Sequence, residues 1–404
     1  MWHLFDVVGI ELEYMIVDSG SMMVRPVCDR LLQGMGGTPC NDWANGPIAW
    51  SNELVMHVVE LKTNGPARSW DGLADRFHHN VLLADGWLSK MGCGLLPTAC
   101  HPWMDPDTET CIWPYEFHEI YELYDRIFGC KGHGWSNLQS MHINLPFAGD
   151  GEFARLHTAI RLLMPVMPAL FASSPILEGR PTGFADSRME AYRHNQEKIP
   201  SIAGMVVPEM VTGRLEYDQK IFAPIVRDIK PYDAHGVLDK HFLNSRGCIA
   251  RFDRGAIEIR VLDLQESPKA DLALARFLVE TVKQLVGERW TTFTGQKNVP
   301  TELLHAQLLS CIKNGSDALP ELEYLKIFGV TQSMSAQDFW RFLFDGVQMQ
   351  LPRETVQTVR SVIDMGCLSA RIMKAVGANP DTRTIKTVYR RLADCLVQNT
   401  IFRP

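Results

Sequence analysis

None of the ten cysteines forms a Cys-x-x-Cys pair, and a chain of 404 residues needs no disulfide staple. Reduced thiols and a cytoplasmic setting are therefore expected, with Cys93, Cys100 and Cys248 as small apolar fillers. No run of 18 apolar residues occurs, which excludes an ordinary membrane span. The N-terminus lacks a basic region followed by an apolar one, so no signal peptide is expected. Basic residues are not clustered, and the net charge is −7, which argues against a nucleic-acid surface. The densest basic stretch, Arg383 to Arg391, has helical spacing and reads as a solvated helix face. Three nucleotide and hydrolase signatures are missing as well: Gly-x-x-x-x-Gly-Lys-[Ser/Thr], Gly-x-Gly-x-x-Gly after a strand, and Gly-x-Ser-x-Gly. There is no internal repeat and no low-complexity segment.

What the chain does have is acid on strands. Hydrophobic content of 46% and charged content of 22% are those of a globular protein. Residues 7–17 alternate with period two, so Glu11 and Glu13 share one face while Ile10, Leu12, Tyr14 and Ile16 share the other. Like charges in neighbouring same-face positions repel unless a cation sits between them. The pattern recurs. Residues 53–62 read as a second strand carrying Glu53 and Glu60, 140–146 as one carrying His142 and Asn144, and 249–263 as a hairpin carrying Glu258 and Arg260. Glu53 and Glu60 differ by an odd number, so a bulge, turn or strand end must intervene if both serve one site. Hard cations such as Mg²⁺ or Mn²⁺ take oxygen ligands and tolerate an imidazole. Glu11, Glu13, Glu53, Glu60, His142 and Glu258 are the candidate metal ligands.

Helical spacing marks residues 70–92, with Leu73, Phe77, Val81, Leu82 and Leu88 on one side, and 153–171, where Pro165 or Pro168 should break the helix. Further helices are expected at 269–289, 302–313, 336–347, 353–365 and 381–400. Strands and helices mixed without βαβ alternation predict an α+β fold, a mostly antiparallel sheet covered by helices. Residues 1–290 carry the motifs. Residues 291–404 read as a helical part of the same domain, since no Gly/Ser/Pro linker precedes them.

In order and spacing these motifs resemble the type 2 glutamate–cysteine ligase family. Gly9-Ile10-Glu11-Leu12-Glu13 matches its opening strand, Glu60-Leu61-Lys62-Thr63 its second, and His101-Pro102 and His142 the next two. The long loop matches most closely, through Ser174-Pro175, Gly179, Thr182-Gly183-Phe184, Ser187-Arg188, Tyr192-Arg193 and Pro200-Ser201. Ala256-Ile257-Glu258-Ile259-Arg260 and Asp263 complete the set. The resemblance implies a glutamine-synthetase-like catalytic fold, with carboxylates on the concave face of a curved sheet. It implies an ATP- and Mg²⁺-dependent carboxylate–amine ligase, with Glu13, Glu53 and Glu60 holding one Mg²⁺ and Glu11, His142 and Glu258 another. Arg260 would face the transferred phosphate. Arg188, Arg193 and Arg251 are candidates for phosphate and carboxylate contacts, because a guanidinium fork suits planar oxyanions. Asn144, His101 and Thr182 are candidates for binding substrate or nucleotide. Partners would be small-molecule acids and amines, with no nucleic acid and no membrane, and the fold group allows a homo-oligomer. The chain departs from the family at His142-Ile143-Asn144, where many members have His-x-His, and at Ala99-Cys100-His101-Pro102, where Gly-Thr-His-Pro is usual. The resemblance thus carries the chemistry further than the substrates. A two-metal amide or phosphoester hydrolase would use the same acidic strands, and a ligase-derived binding protein would keep them without turnover.

Overall fold

The computed structural model describes residues 1–37 and 40–404. Its strands are β1 (Gly9–Asp18), β2 (Asp42–Asn45), β3 (Ile48–Asn52), β4 (Val58–Thr63), β5 (Cys93–Leu96), β6 (Ser140–Pro146), a short pair β7 (Ile176–Leu177) and β8 (Arg180–Pro181), then β9 (Cys248–Arg251) and β10 (Ala256–Asp263). Apart from β7 and β8 they form one sheet in the order β2-β3-β4-β1-β6-β10-β9, with β5 beside β1 off this path. All its pairings are antiparallel.

β1 is the keel of this sheet. Its register sets Glu11 opposite Lys62 and Glu13 opposite Glu60 on β4, and Glu11 opposite His142 on β6. The alternation expected from sequence holds, for Ile10, Leu12, Tyr14 and Ile16 are fully buried. They belong to one large core with residues of the helices Leu73–Leu88, Gly149–Leu163 and Pro268–Val286. Each large aliphatic or aromatic side chain in such a core contributes about 1.5–3 kcal/mol. The opposite face is divided. At one end it bears the carboxylates, while at the other Met15 and Val17 pack with Leu96 under the helices Leu368–Val376 and Thr382–Gln398. The last helices of the chain therefore cover the far half of the face on which Glu11 and Glu13 stand.

Three sequence expectations need correction. Residues 53–62 are not one strand. β3 ends at Asn52 and β4 begins at Val58, because the backbone between them pairs instead with a distant segment, Met56 N donating to Cys111 O and Trp113 N to Leu54 O. That break is the strand end which the odd spacing of Glu53 and Glu60 required. Leu82 points outward, 41% exposed, because it lies about 100° around the helix from Val81. The long loop that carries the motif residues Ser174 to Ser201 contains a helix, Ser187–Tyr192, capped by the Asp186 side chain. Proline does break the helix after Leu163, through a 3₁₀ turn at Met164–Val166.

Candidate active site

The carboxylate half of the sheet floors a cleft of about 970 Å³, at the upper end of the range for small-molecule sites. Its floor carries Glu11, Glu13, Glu60, Lys62, His142, Asn144, Glu258 and Arg260, with Glu53, Arg188 and Arg251 at its sides. The facing wall is the helix His118–Phe128 and its leading residue. Phe117, Ile120, Tyr121 and Tyr124, spaced i, i+3, i+4 and i+7, all line the cleft. The i, i+3, i+4, i+7 spacing of these four residues is the sequence signal that marks this wall.

His142 is the hub of the floor. Its Nδ1 lies 2.9 Å from Glu11 Oε2 and 3.8 Å from Glu258 Oε1, and its Nε2 lies 2.9 Å from Ser140 Oγ and 3.9 Å from Glu13 Oε1. Burial by itself would lower the imidazole, but the hydrogen bond to Glu11 and the charges of Glu13, Glu11 and Glu258 raise it to about 9. Burial likewise works against the Glu11 carboxylate, yet His142, with Arg260 and Lys62 behind it, brings it down to about 2. Asn144 Nδ2 donates to Glu11 Oε1 at 2.9 Å. Glu13 accepts from Ser140 N at 2.7 Å and from Ser140 Oγ at 3.0 Å.

The β10 side supplies the fixed cations. The pairing of β10 with β6 slips between Ile259 and Leu262, and Arg260 N bonds instead to Gly247 O. A bulge of this kind re-aims a side chain. Arg260 Nε reaches Glu258 Oε1 at 2.5 Å, and Arg251 Nη1 stands 3.8 Å from Glu258 Oε2. Arg188, on the short helix after the loop, is held by Asp263 and lines the cleft.

On the β4 side the acids crowd. Burial, then Glu13 and Glu60, push the Glu53 carboxyl well above its usual range. Burial and Glu11 raise Glu60 to about 7, against the opposing pull of Lys62 and Ser51. Sequence reading missed Lys62 although it stands two residues after Glu60, the spacing that puts both on one strand face.

The donor chemistry fits a hard divalent ion at one place above all. Among the described residues, Glu11, His142 and Glu258 offer ligand atoms that all lie within 4.8 Å of one another, two oxygens and an imidazole. Glu13, Glu53 and Glu60 share a neighbourhood without gathering in this way.

Three expected site residues lie outside the cleft lining. His101 is fully buried, with Nε2 2.7 Å from Met22 O and Nδ1 accepting from Trp103 N. Thr182 Oγ1 sits 2.7 Å from Ser187 Oγ and braces the loop ahead of Arg188. Arg193 forms a two-pronged pair with Glu190 at 2.8 and 2.9 Å. All three side chains are engaged in these contacts within the fold.

A model of glutamate–cysteine ligase family 2 matches residues 7–319 of this sequence. The chain belongs to that family. It is accordingly a carbon–nitrogen ligase of the carboxylate–amine class. An uncharacterised protein of Archaeoglobus fulgidus is 31% identical over 397 residues, covering 98% of this chain and 100% of its own. A Rubrobacter xylanophilus protein with the provisional name glutamate–cysteine ligase 2-1 is 24% identical over 254 residues, 59% of this chain and 61% of that one. The solved glutamate–cysteine ligase of Francisella tularensis, in complex with AMP, superposes with a TM-score of 0.57 at 13% identity, over 97% of this chain and 89% of its own. That likeness shows the shared fold, the open glutamine-synthetase-like sheet expected from the motifs. Among the described residues no helix is long and apolar enough to cross a membrane.

Proposed function

We propose that this family member is an ATP- and Mg²⁺-dependent ligase that joins a small carboxylic acid to an amine, with γ-glutamyl transfer to cysteine as the first pair to try. The observation that carries this reading is the convergence of Glu11, His142 and Glu258 beside Arg260 on the floor of a cleft large enough for a nucleotide and two small substrates. A carboxylate is a poor electrophile in water. Its oxygen would attack the γ-phosphorus of ATP and release ADP, giving an acyl phosphate. The amine nitrogen would then attack the acyl carbon, lose a proton and expel phosphate.

The difficulty in the first step is charge, since nucleophile and donor are both anionic. Arg260 and Arg188 stand as fixed donors whose guanidinium groups are already oriented by Glu258 and Asp263. Such preorganised groups stabilise charge spreading over phosphoryl oxygens without reorganising during reaction. Glu11, His142 and Glu258 would hold Mg²⁺, which when bound supplies Lewis-acid neutralisation of the phosphate oxygens. Asn144 keeps Glu11 turned toward His142. The wall of Ile120, Tyr121 and Tyr124 narrows the access of water to a labile acyl phosphate.

The test is ADP release from Mg-ATP across pairs of acids and amines, glutamate with cysteine among them. ADP formed only when both are present supports the reading. Amide or phosphoester hydrolysis without nucleotide would replace it with a two-metal hydrolase.

A further inference from the structure

Lys62 stands among the acidic side chains of the cleft floor. It stands on β4 on the same face as Glu60, opposite Glu11 across the β1 pairing. Its Nζ lies 2.9 Å from Glu60 Oε2, 3.2 Å from Asp42 Oδ2 on β2 and 2.7 Å from Ser51 Oγ on β3. Ser51 Oγ in turn donates to the same Glu60 oxygen at 2.5 Å. One ammonium thus ties together side chains from three adjacent strands. The Glu60 carboxylate it meets is only 8% exposed at its side chain, and the Lys62 side chain 29%, so this is no solvated surface pair of the kind that contributes little.

Two cations on one carboxylate repel each other strongly where water is scarce. An ion coordinated by Glu60 would have to sit beside this ammonium or displace it. The trio around His142 has its own cations, with Arg260 Nε 2.5 Å and Arg251 Nη1 3.8 Å from Glu258, yet there the ligand atoms of Glu11, His142 and Glu258 gather within 4.8 Å of one another, whereas among the described residues no such group includes Glu60.

We propose that Lys62 is a resident cation of the site. Its ammonium satisfies Glu60 and Asp42, Glu60 is therefore not an ion ligand, and divalent ions are taken by Glu11, His142 and Glu258, with Glu13 and Glu53 able to serve a second. This deepens the ligase reading and rests on its claim that the floor binds divalent ions. A lysine in this place gives the cleft a positive charge that no chelator removes.

The experiment counts Mn²⁺ bound to the full chain by the EPR signal of the free ion, in wild type, E60Q, E258Q, K62M and K62R, each first shown to be folded by its thermal transition. E258Q should weaken the tightest site by roughly tenfold or more, as expected when a ligand or its immediate support is lost. E60Q should keep the wild-type number of ions with affinity within about twofold, and K62R should keep that number too. K62M, which frees the Glu60 carboxylate, should gain one. An E60Q protein that loses an ion or binds it roughly tenfold more weakly overturns the proposal, as does a folded K62M that gains none. E60Q decides the matter alone if K62M does not fold. Wild type that binds no Mn²⁺ at all would instead sink the ligase reading, and this inference with it.

Discussion

Arg188 Nε meets Asp263 Oδ1 at 2.5 Å in the interior of the protein, where Asp263 is fully buried and Arg188 only 1% exposed. The other Asp263 oxygen accepts from Ser173 N at 2.8 Å and from Ser174 Oγ at 2.9 Å. The carboxylate is thus clamped by the start of the long loop, and it clamps the arginine in turn. Arg188 Nη1 reaches Arg260 O at 3.3 Å, and Nη2, with no hydrogen-bond partner among the described residues, remains for an anion in the cleft that Arg188 lines.

Removing the acid from this pair should be costly. D263A leaves a guanidinium buried without its counter-charge, a change that typically destabilises by about 3–5 kcal/mol. Urea unfolding at neutral pH measures it, and a loss under 1 kcal/mol would mean that Arg188 finds another partner at little cost.

The arginine itself is tested by R188K. Lysine keeps the charge but offers no planar fork, so the donor left over for the cleft disappears. ADP release should fall about a hundredfold, the scale seen when one preorganised oxyanion donor is lost. Near-normal turnover with lysine would show that Arg188 serves the fold and not the chemistry.

Chelation bears on the trio around His142. Because Glu11 and His142 already neutralise each other in the absence of an ion, dialysis against EDTA should leave the fold in place. ADP release should stop and return with Mn²⁺ or Mg²⁺. H142Q should prevent that recovery while the protein still unfolds in a cooperative thermal transition, at a lower temperature because Glu11 loses its partner. Loss of the transition on chelation alone would show that the ion holds the structure together.

Much of this was legible from residues. Period-two alternation located β1, β6 and β10, and with them Glu11, Glu13, His142, Asn144, Glu258 and Arg260 on a common floor. What alternation cannot carry is register and long-range pairing. The segment at 53–62 looked continuous because its break is imposed by residues 111–113, far away in sequence. Nor can a motif say which side chains turn inward. His101 and Thr182 sit in matching motifs but spend their polar atoms on backbone and neighbouring hydroxyls. Lys62 and the Tyr121–Tyr124 stripe had the right spacing, yet only the assembled cleft gives either a function to serve.

Acid stability offers a last test, away from the floor. His57, His101 and His157 are fully buried. Burial is the leading cause that lowers all three, His57 and His101 to about 4 and His157 to about 3, where Arg161 and Arg246 add their repulsion. Their unfolded value is 6.5, so between these limits the unfolded chain binds more protons than the folded one. Stability therefore rises with pH across that window. The contribution is fully present above pH 6.5 and is lost as the pH falls toward 4 and then 3, each histidine costing about 1.4 kcal/mol per pH unit. His157 is the clearest probe, since its ring stacks on Phe153 at 5.2 Å and neither nitrogen has a hydrogen-bond partner among the described residues. H157L should match wild type near pH 7 to within about 1.5 kcal/mol. Between pH 6 and 4 its unfolding free energy should decline less steeply, by the slope of one proton. Urea titrations at half-unit steps measure both curves, and parallel acid limbs would show that His157 is protonated inside the fold without penalty.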